Sequence, residues 1–402
     1  MPPSTANGAT APFGSGVGIP ELIPLRIEES RCALPGGRLN LVIPLMSEGR
    51  SYGGMPTARR FFDRLSAEFP YARLILTHEV ESRFEFGSWN GWTVDDGSPA
   101  SRSIAFLGDG TTCLSLSSTD VFVATFWSTA VYVKQVLARQ IQLFPGASRR
   151  FVYLIQDYEP GFYPYSARYE CALDSYRHGD EIVPVFNTKL LADYFRDKGL
   201  RFPEQYVFEP MLHPRLGKVK RELSDCSKER LIFMYGRPSI PRNDFDLLVE
   251  ALRLWVRKFP SAGDWSLVSA GEQHADIPLG DQIVLRSKGK LSLEDYGRYL
   301  SQCWIGLSFI FSPHPGYATL DMAEFGAWVI TNKFENKHPT GLAPNIVCVD
   351  PTPAAVAERL TWCCEQYRPG QRAVSVNGGV AYKGRGEEFP FASALVKSWR
   401  FS

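Results

Sequence analysis

Runs of apolar, often β-branched residues recur along this chain, each closed by turn residues and most of them apolar along their length rather than alternating. That pattern marks strands buried on both faces of a parallel sheet. In the first half the runs fall at 39–45, 72–78, 120–126, 150–157, 181–187 and 206–211. In the second half they fall at 231–236, 265–271, 283–289, 304–310, 328–332 and 345–350. Helical spacing lies between many of them. Residues 57–69 place Phe61, Phe62, Leu65 and Phe69 on one face. Residues 243–259 do the same with Leu248, Ala251, Leu252, Trp255 and Phe259, with Asn243 as the expected N-cap and Asp244 and Asp246 placed to complement the helix dipole. Ser292 with Asp295 has the form of a capping box ahead of Tyr296, Tyr299 and Leu300.

Alternating strands and helices predict an α/β fold with right-handed crossovers. About twelve strands exceed one compact doubly wound sheet, so two sheets of about six are expected. The reading is a tail at 1–30, a first Rossmann-like domain at 31–212 and a second at 213–388, the boundary falling in the polar, charged stretch 212–229. A last helix, within 389–402, is expected to pack back on one of the two domains, the first being one candidate, and the sequence leaves open which. The irregular stretch 79–119, with Trp89, Trp92, Asp95 and Asp96, reads first as an insertion over the sheet and second as an acceptor-binding excursion.

Composition narrows this frame. The 402 residues are 44% hydrophobic and 22% charged, with a formal net charge of +1, so large cores are available and no global field favours nucleic acid or an anionic membrane. The eight cysteines are scattered, and the adjacent Cys363 and Cys364 form neither a zinc knuckle nor a redox CxxC, which suits a reducing compartment. No stretch approaches the roughly 20 apolar residues of a membrane span. The first sixteen residues lack a basic segment followed by an apolar one and read as a disordered tail rather than a signal peptide. The expected location is cytoplasmic, with peripheral contact at the inner membrane face left open.

Candidate chemistry gathers at strand ends. The run 231–236 stops at Gly236, and Arg237 and Arg242 follow before an amphipathic helix. Two fixed cations at the carboxyl end of a strand suit a diphosphate, since arginine stays charged and binds phosphate bidentately and α/β sheets bind ligands there. Gly53-Gly54 after the first strand lets backbone N–H groups approach an anion, although it is not a GxGxxG fingerprint and so disfavours a nicotinamide cofactor. Lys290 sits in a strand–helix turn. The stretch 307–326 joins a strand, a Pro/His/Gly loop with His314 and Gly316, and a helix with Asp321 and Glu324. Asp157 and Glu159 end a first-half strand amid aromatic residues, a setting that suits sugar hydroxyls and a C–H face. Asp244 and Asp246 match a DxD pattern by letter but fall in a first helical turn, so no metal is expected.

These stretches resemble the family-4 retaining glycosyltransferases of GT-B fold, and more closely the WsaF-type rhamnosyltransferases of bacterial surface glycan assembly. The resemblance rests on 156–164 (Gln-Asp-Tyr-Glu-Pro-Gly-Phe-Tyr-Pro), 235–243, 289–291, 307–326 with its Ser-Pro-His-Pro, and 331–336. It implies that Arg237, with Arg242 in a lysine's usual place, grips a donor diphosphate, and that Gly53, Gly54 and Gly236 border it. It implies that Gly289, Lys290 and Leu291 form the nucleobase and phosphate loop, and that Asp321 binds the ribose. His314, Gly316 and Tyr317 join the donor site, while Pro313 stands where the family has a first acid. Asp157 and Glu159 would face the acceptor. The implied reaction moves a sugar, L-rhamnose from dTDP-L-rhamnose, to a glycan or lipid-linked glycan hydroxyl with retention, without metal or cofactor. The rival readings are a non-hydrolysing nucleotide-sugar epimerase of the same architecture and an inactive glycan-binding paralogue.

Overall fold

The computed structural model describes residues 18–19, 21–22, 26–29, 34–44, 54–78, 91–97, 99–108, 112–280, 282–338, 342–374, 381–384 and 386–400. In chain order the first half carries β1 (Ile27–Glu29), β2 (Arg38–Ile43), β3 (Tyr71–Leu76), β4 (Thr93–Val94), β5 (Arg102–Phe106), β6 (Leu114–Leu116), β7 (Asp120–Ala124), β8 (Phe151–Ile155), β9 (Ile182–Asn187) and β10 (Tyr206–Phe208). Eight of these form one sheet in the order β10-β9-β8-β7-β2-β3-β5-β4, every pair parallel, while β1 and β6 pair separately. The second half carries β11 (Glu229–Gly236), β12 (Ser266–Gly271), β13 (Ile277–Gly280), β14 (Ile283–Ser287), β15 (Cys303–Leu307), β16 (Trp328–Asn332) and β17 (Ile346–Val349). Its sheet runs β13-β14-β12-β11-β15-β16-β17, parallel except for the antiparallel edge strand β13.

The helices are α1 (Gly54–Ser66), α2 (Trp127–Leu143), α3 (Ala167–Asp174), α4 (Lys189–Asp197), α5 (Pro214–Glu222), α6 (Phe245–Lys258), α7 (Leu293–Gln302), α8 (Tyr317–Glu324), α9 (Pro353–Glu365) and α10 (Ala392–Arg400). Helix α6 shows how pattern becomes core. Leu248, Ala251, Leu252 and Trp255, spaced three and four apart, all have no exposed surface. Burying each large side chain of this kind stabilises by about 1.5–3 kcal/mol. Helix α10 places Leu395, Val396 and Trp399 in the same cluster as Phe61 and Phe62 of α1, so the chain returns to the first sheet after building the second.

Four expectations change. The chain has seventeen strands among the described residues, not about twelve. Part of the presumed insertion is sheet, because β5 pairs in register with β3 and β4 follows it. The presumed tail contributes β1. The cap of α6 is Asp244, not Asn243: Asp244 takes a left-handed conformation (φ 50°), and the Asn243 amide turns inward to donate to the Phe309 carbonyl at 2.9 Å.

At the amino ends of the first sheet's strands lies a buried ionic cluster. Arg38 binds Asp120 bidentately (2.7 and 2.8 Å), and Arg73 reaches Asp95 at 2.8 Å and Asn40 at 2.7 Å. Burial alone would raise the Asp120 carboxyl, but Arg38 and Arg73 outweigh it and hold the group below its usual value. This end of the sheet is opposite the strand ends discussed next.

Candidate active site between the two sheets

Three strand ends supply the candidate site: β8 of the first sheet and β11 and β15 of the second. Strand β11 closes on Gly236, where any Cβ would lie 2.1 Å from the Ser269 hydroxyl and 2.9 Å from Phe245, so only glycine fits. The loop beyond it is fastened by Glu272, whose carboxylate accepts from the Ser239 backbone N–H (3.1 Å) and hydroxyl (2.7 Å). These bonds pull the Glu272 pKa below the usual carboxylate range. Glu272 follows β12 in an Ala-Gly-Glu-Gln-His run that carries no sequence signal of its own.

Arg242 leaves this loop and crosses to the first sheet. Its guanidinium donates to the Asp157 carboxylate and lies 4.1 Å from the centre of the Phe162 ring. The other Asp157 oxygen accepts from the Ser312 hydroxyl and from the Tyr158 N–H at 2.8 Å. Ser312 belongs to the loop after β15, and that loop is bound to Arg242 directly, the Phe311 N–H donating to the Arg242 carbonyl at 2.8 Å. Asp157, from the first half of the chain, therefore meets Arg242 and Ser312 from the second. Ser312 was missed as a contact residue, although it opens the Ser-Pro-His-Pro run.

The same loop carries His314. The ring is buried, and its Nδ1 accepts from the Gly316 N–H at 2.9 Å. Burial pushes the imidazole pKa down to about 4, so the ring is neutral at pH 7. With Nδ1 accepting, the proton sits on Nε2, which has no partner among the described residues. Gly316 holds φ at +88° and starts α8. Beneath the loop, buried Lys337 donates to the Ile310 carbonyl (2.6 Å) and to Asn332 (3.2 Å), and burial lowers its pKa to about 7. Lys337 lies one residue beyond the quoted 331–336 stretch and was not read as a site residue.

The remaining sequence candidates divide. Arg237 follows Gly236 on this face, half-buried. Gly54 begins α1 itself rather than preceding it, and its carbonyl accepts from the Gln156 amide at 2.9 Å, beside Asp157. Gly53 lies outside the described residues. Gly289 is buried at the end of β14, its carbonyl accepting from the Gly271 N–H at 2.9 Å, with Lys290 exposed and Leu291 packed on the second core. Asp244, the cap of α6, is pushed up to about 6 by burial.

Three placements give sequence candidates partners inside the protein. Glu159 does not present its carboxylate to an acceptor. It is an interior group that accepts from the Trp127 N–H at the start of α2 and from the Tyr153 hydroxyl at 2.9 Å, and burial pushes its pKa well above the usual value. Asp321 is likewise enclosed, its oxygens taken by the hydroxyls of Tyr382 (2.6 Å) and Tyr296 (3.3 Å), with burial raising its pKa to about 7. Tyr317 bridges the two halves, its hydroxyl accepting from the Asn187 amide at the end of β9 at 3.0 Å. Further bonds span the same interface: Tyr194 of α4 and Lys198, the cap at its end, bind Glu335 (3.0 and 2.8 Å), and the Asn336 amide donates to the Leu190 carbonyl at 2.8 Å.

No group of three or more metal-ligating side chains occurs among the described residues. No helix among them is long and apolar enough to cross a membrane.

Comparison with known proteins places this architecture. Residues 38–189 match the WsaF N-terminal domain and residues 230–361 the WsaF C-terminal domain. The O-antigen biosynthesis protein RfbC of Myxococcus xanthus is 30% identical over 246 residues, covering 61% of this chain but only 18% of that longer protein. Among solved structures, the sucrose-phosphate synthase of Thermosynechococcus elongatus superposes with a TM-score of 0.54 at 13% identity, covering 82% of this chain and 90% of that one. HepE of Anabaena, solved in complex with UDP and glucose, gives 0.51 at 13% identity over 82% and 90%. The α,α-trehalose-phosphate synthase of Burkholderia vietnamiensis gives 0.51 at 10% identity over 84% and 91%. At these identities the structural likeness concerns the fold alone. With both family domains matched in order along the chain, and with two mainly parallel sheets meeting at their strand ends, the chain belongs to the WsaF family and has the GT-B fold of glycosyltransferases.

Proposed function

We propose that this protein transfers a sugar from a nucleoside diphosphate to a hydroxyl of a glycan acceptor in bacterial surface polysaccharide synthesis, the sugar being L-rhamnose from dTDP-L-rhamnose and the anomeric configuration being retained. The observation that carries the reading is the meeting of Asp157 with Arg242 and Ser312 across the interface. A cation that can bind diphosphate and an acid that can bind a sugar hydroxyl are thereby brought to one point, from opposite sheets.

In this reading Arg237 and Arg242 bind the diphosphate and stabilise its charge as it leaves, the task a metal performs elsewhere. No resident cofactor is required. The Nε2–H of His314 is a buried, neutral donor with no partner among the described residues, and it supplies a hydrogen bond to an oxygen of the donor. Entry of the diphosphate exchanges the partner of Arg242, and the released Asp157 carboxylate orients the acceptor hydroxyl. Closure of the two sheets around both substrates excludes water, which would otherwise hydrolyse the donor. The cellular setting proposed is the cytoplasm, with peripheral contact at the inner membrane face.

The test is ligand-induced thermal stabilisation by dTDP, UDP and GDP, followed by mass detection of nucleotide release from dTDP-L-rhamnose. The reading expects dTDP to raise the Tm and Arg237→Ala to remove the effect. Absence of a shift with every nucleotide overturns the donor site.

A further inference from the structure

From the Asp157–Arg242 contact an aromatic ridge runs outward over the first sheet. Phe162, whose ring lies under Arg242, is near-parallel to Phe126 at 6.2 Å and adjoins Tyr163 at 6.4 Å. Tyr165 and Tyr169, their ring centres 4.7 Å apart, join the ridge through Arg168, whose guanidinium lies 6.0 Å from the centre of the Tyr163 ring. Other rings of this region, such as Tyr153 and Tyr176, are core residues with almost no exposed surface. The ridge rings differ. Phe126, Tyr163 and Tyr169 are half-buried, and Tyr165 is 88% exposed, more than any other large hydrophobic side chain among the described residues.

The ridge is also held rigidly. Glu159 lies beneath it and accepts from Trp127 at the start of α2 and Tyr153 of the underlying strand, while its own N–H donates to the Tyr176 hydroxyl at 3.2 Å. The Trp127 indole donates to the Tyr163 hydroxyl at 3.0 Å, joining the start of α2 directly to the segment after β8. The Ser166 hydroxyl caps α3 by accepting from the Tyr169 N–H at 3.3 Å. Exposed rings on a fixed backbone lose little entropy when a ligand covers them.

The chemistry of the ridge selects its occupant. Aromatic faces carry negative π density, which attracts the slightly positive C–H bonds on the apolar face of a sugar ring. The phenol hydroxyls at the ring edges suit the sugar hydroxyls that project around that face. Arg168, whose guanidinium lies over the Tyr163 ring, is paired with Glu21 at 3.1 Å, which offsets its charge toward an anionic ligand. Three of the rings are tyrosines, which sets the ridge apart from a dry groove for an acyl chain. Continuity with the Asp157–Arg242 point supplies the direction: a chain laid on the ridge delivers its end to that point.

We propose that Phe126, Tyr163, Tyr165 and Tyr169 form an acceptor subsite for a neutral saccharide chain, binding the sugars that lie behind the reacting hydroxyl. This rests on the transferase reading, and it reassigns Glu159 as the residue that positions the ridge.

The experiment is saturation-transfer NMR of the full chain with rhamno-oligosaccharides of two to six sugars, with dTDP-induced Tm shifts measured in parallel. The proposal expects affinity to rise with chain length. It expects Tyr165→Ala and Tyr169→Ala each to weaken binding of the longer oligosaccharides roughly five-fold, while Tyr165→Phe, which keeps the ring, retains most of it. The dTDP shift should be unchanged in all three variants. No saturation transfer to any oligosaccharide in the unaltered protein overturns the proposal, as does unchanged affinity in both alanine variants. Tyr165-dependent binding to phosphatidylglycerol vesicles in place of oligosaccharides assigns the ridge to a membrane and also overturns it. Sugar binding without any dTDP shift leaves the ridge in place and removes the donor reading instead.

Discussion

Arg242 is neutralised by Asp157, a carboxylate from the opposite sheet, so the cation proposed to bind diphosphate already holds an anion of the protein's own. A donor must compete with that carboxylate, and the apparent affinity is reduced by the fraction of molecules in which the pair is closed. Asp157→Asn therefore tightens dTDP binding by about three- to ten-fold while lowering sugar transfer, because the group that orients the acceptor is lost. Titration calorimetry with dTDP reads the first effect and a transfer assay the second. Weaker nucleotide binding in the variant would refute the exchange.

Gly236 carries a different kind of constraint. A methyl group there meets the Ser269 hydroxyl at 2.1 Å and the Phe245 ring at 2.9 Å, so the β11 end or the start of α6 must move. Gly236→Ala is expected to cost about 1–3 kcal/mol by overpacking, and more of the loss should appear in nucleotide binding because Arg237 is the next residue. Urea unfolding and dTDP titration of the same preparation separate the two.

Asp120 tests the opposite end of the first sheet. Its side chain has no exposed surface and accepts two bonds from Arg38. Asp120→Ala leaves Arg38 and Arg73 buried without their shared anion, a loss expected to cost about 3–5 kcal/mol. Denaturant unfolding measures it. A variant within 1 kcal/mol of the parent, by the same measure, would show that these arginines find other partners.

Asp321 makes stability depend on pH with a definite sign. Its folded pKa, about 7, lies above the ordinary value of 3.8, so the folded state holds a proton that the unfolded chain has released. The stabilisation is full below the unfolded value and is lost as pH rises through about 7, with a slope of up to about 1.4 kcal/mol per pH unit between the two. Lys337, lowered from 10.5 to about 7, acts in the other direction only above neutrality, where stability recovers as pH rises towards 10.5. A comparison of Tm profiles from pH 4 to pH 7 for the parent and Asp321→Asn should show a shallower decline in the variant. Superimposable profiles would remove Asp321 as the cause.

Most of the sheet framework was legible because buried parallel strands write themselves as unbroken apolar runs, as at 151–155 and 303–307. Strand β5, Arg-Ser-Ile-Ala-Phe, was not legible, since a strand near a sheet edge carries polar residues that resemble a loop. The cap of α6 was misread because Asn243 and Asp244 have equal capping chemistry, and only the Phe309 carbonyl decides which one turns inward. For the candidate site, sequence could mark Asp157, Arg242 and His314 as polar residues at strand ends. It could not show that Asp157 and Arg242 touch, because that contact spans 85 positions and depends on how two sheets meet. Glu159 was misjudged for a related reason: an acid four residues past a strand can face outward or turn back to a helix N-terminus, and here the Trp127 N–H captured it.

The return of α10 to the first sheet has a consequence for biosynthesis. Phe61 and Phe62 are made before the second half of the chain, but Leu395, Val396 and Trp399, which share their cluster, are made after it. The first half must wait, with that apolar face uncovered, while the whole second half is synthesised and folds. The molecule is thus a stitched pair whose earlier member is finished second, with apolar surface left open until α10 is made.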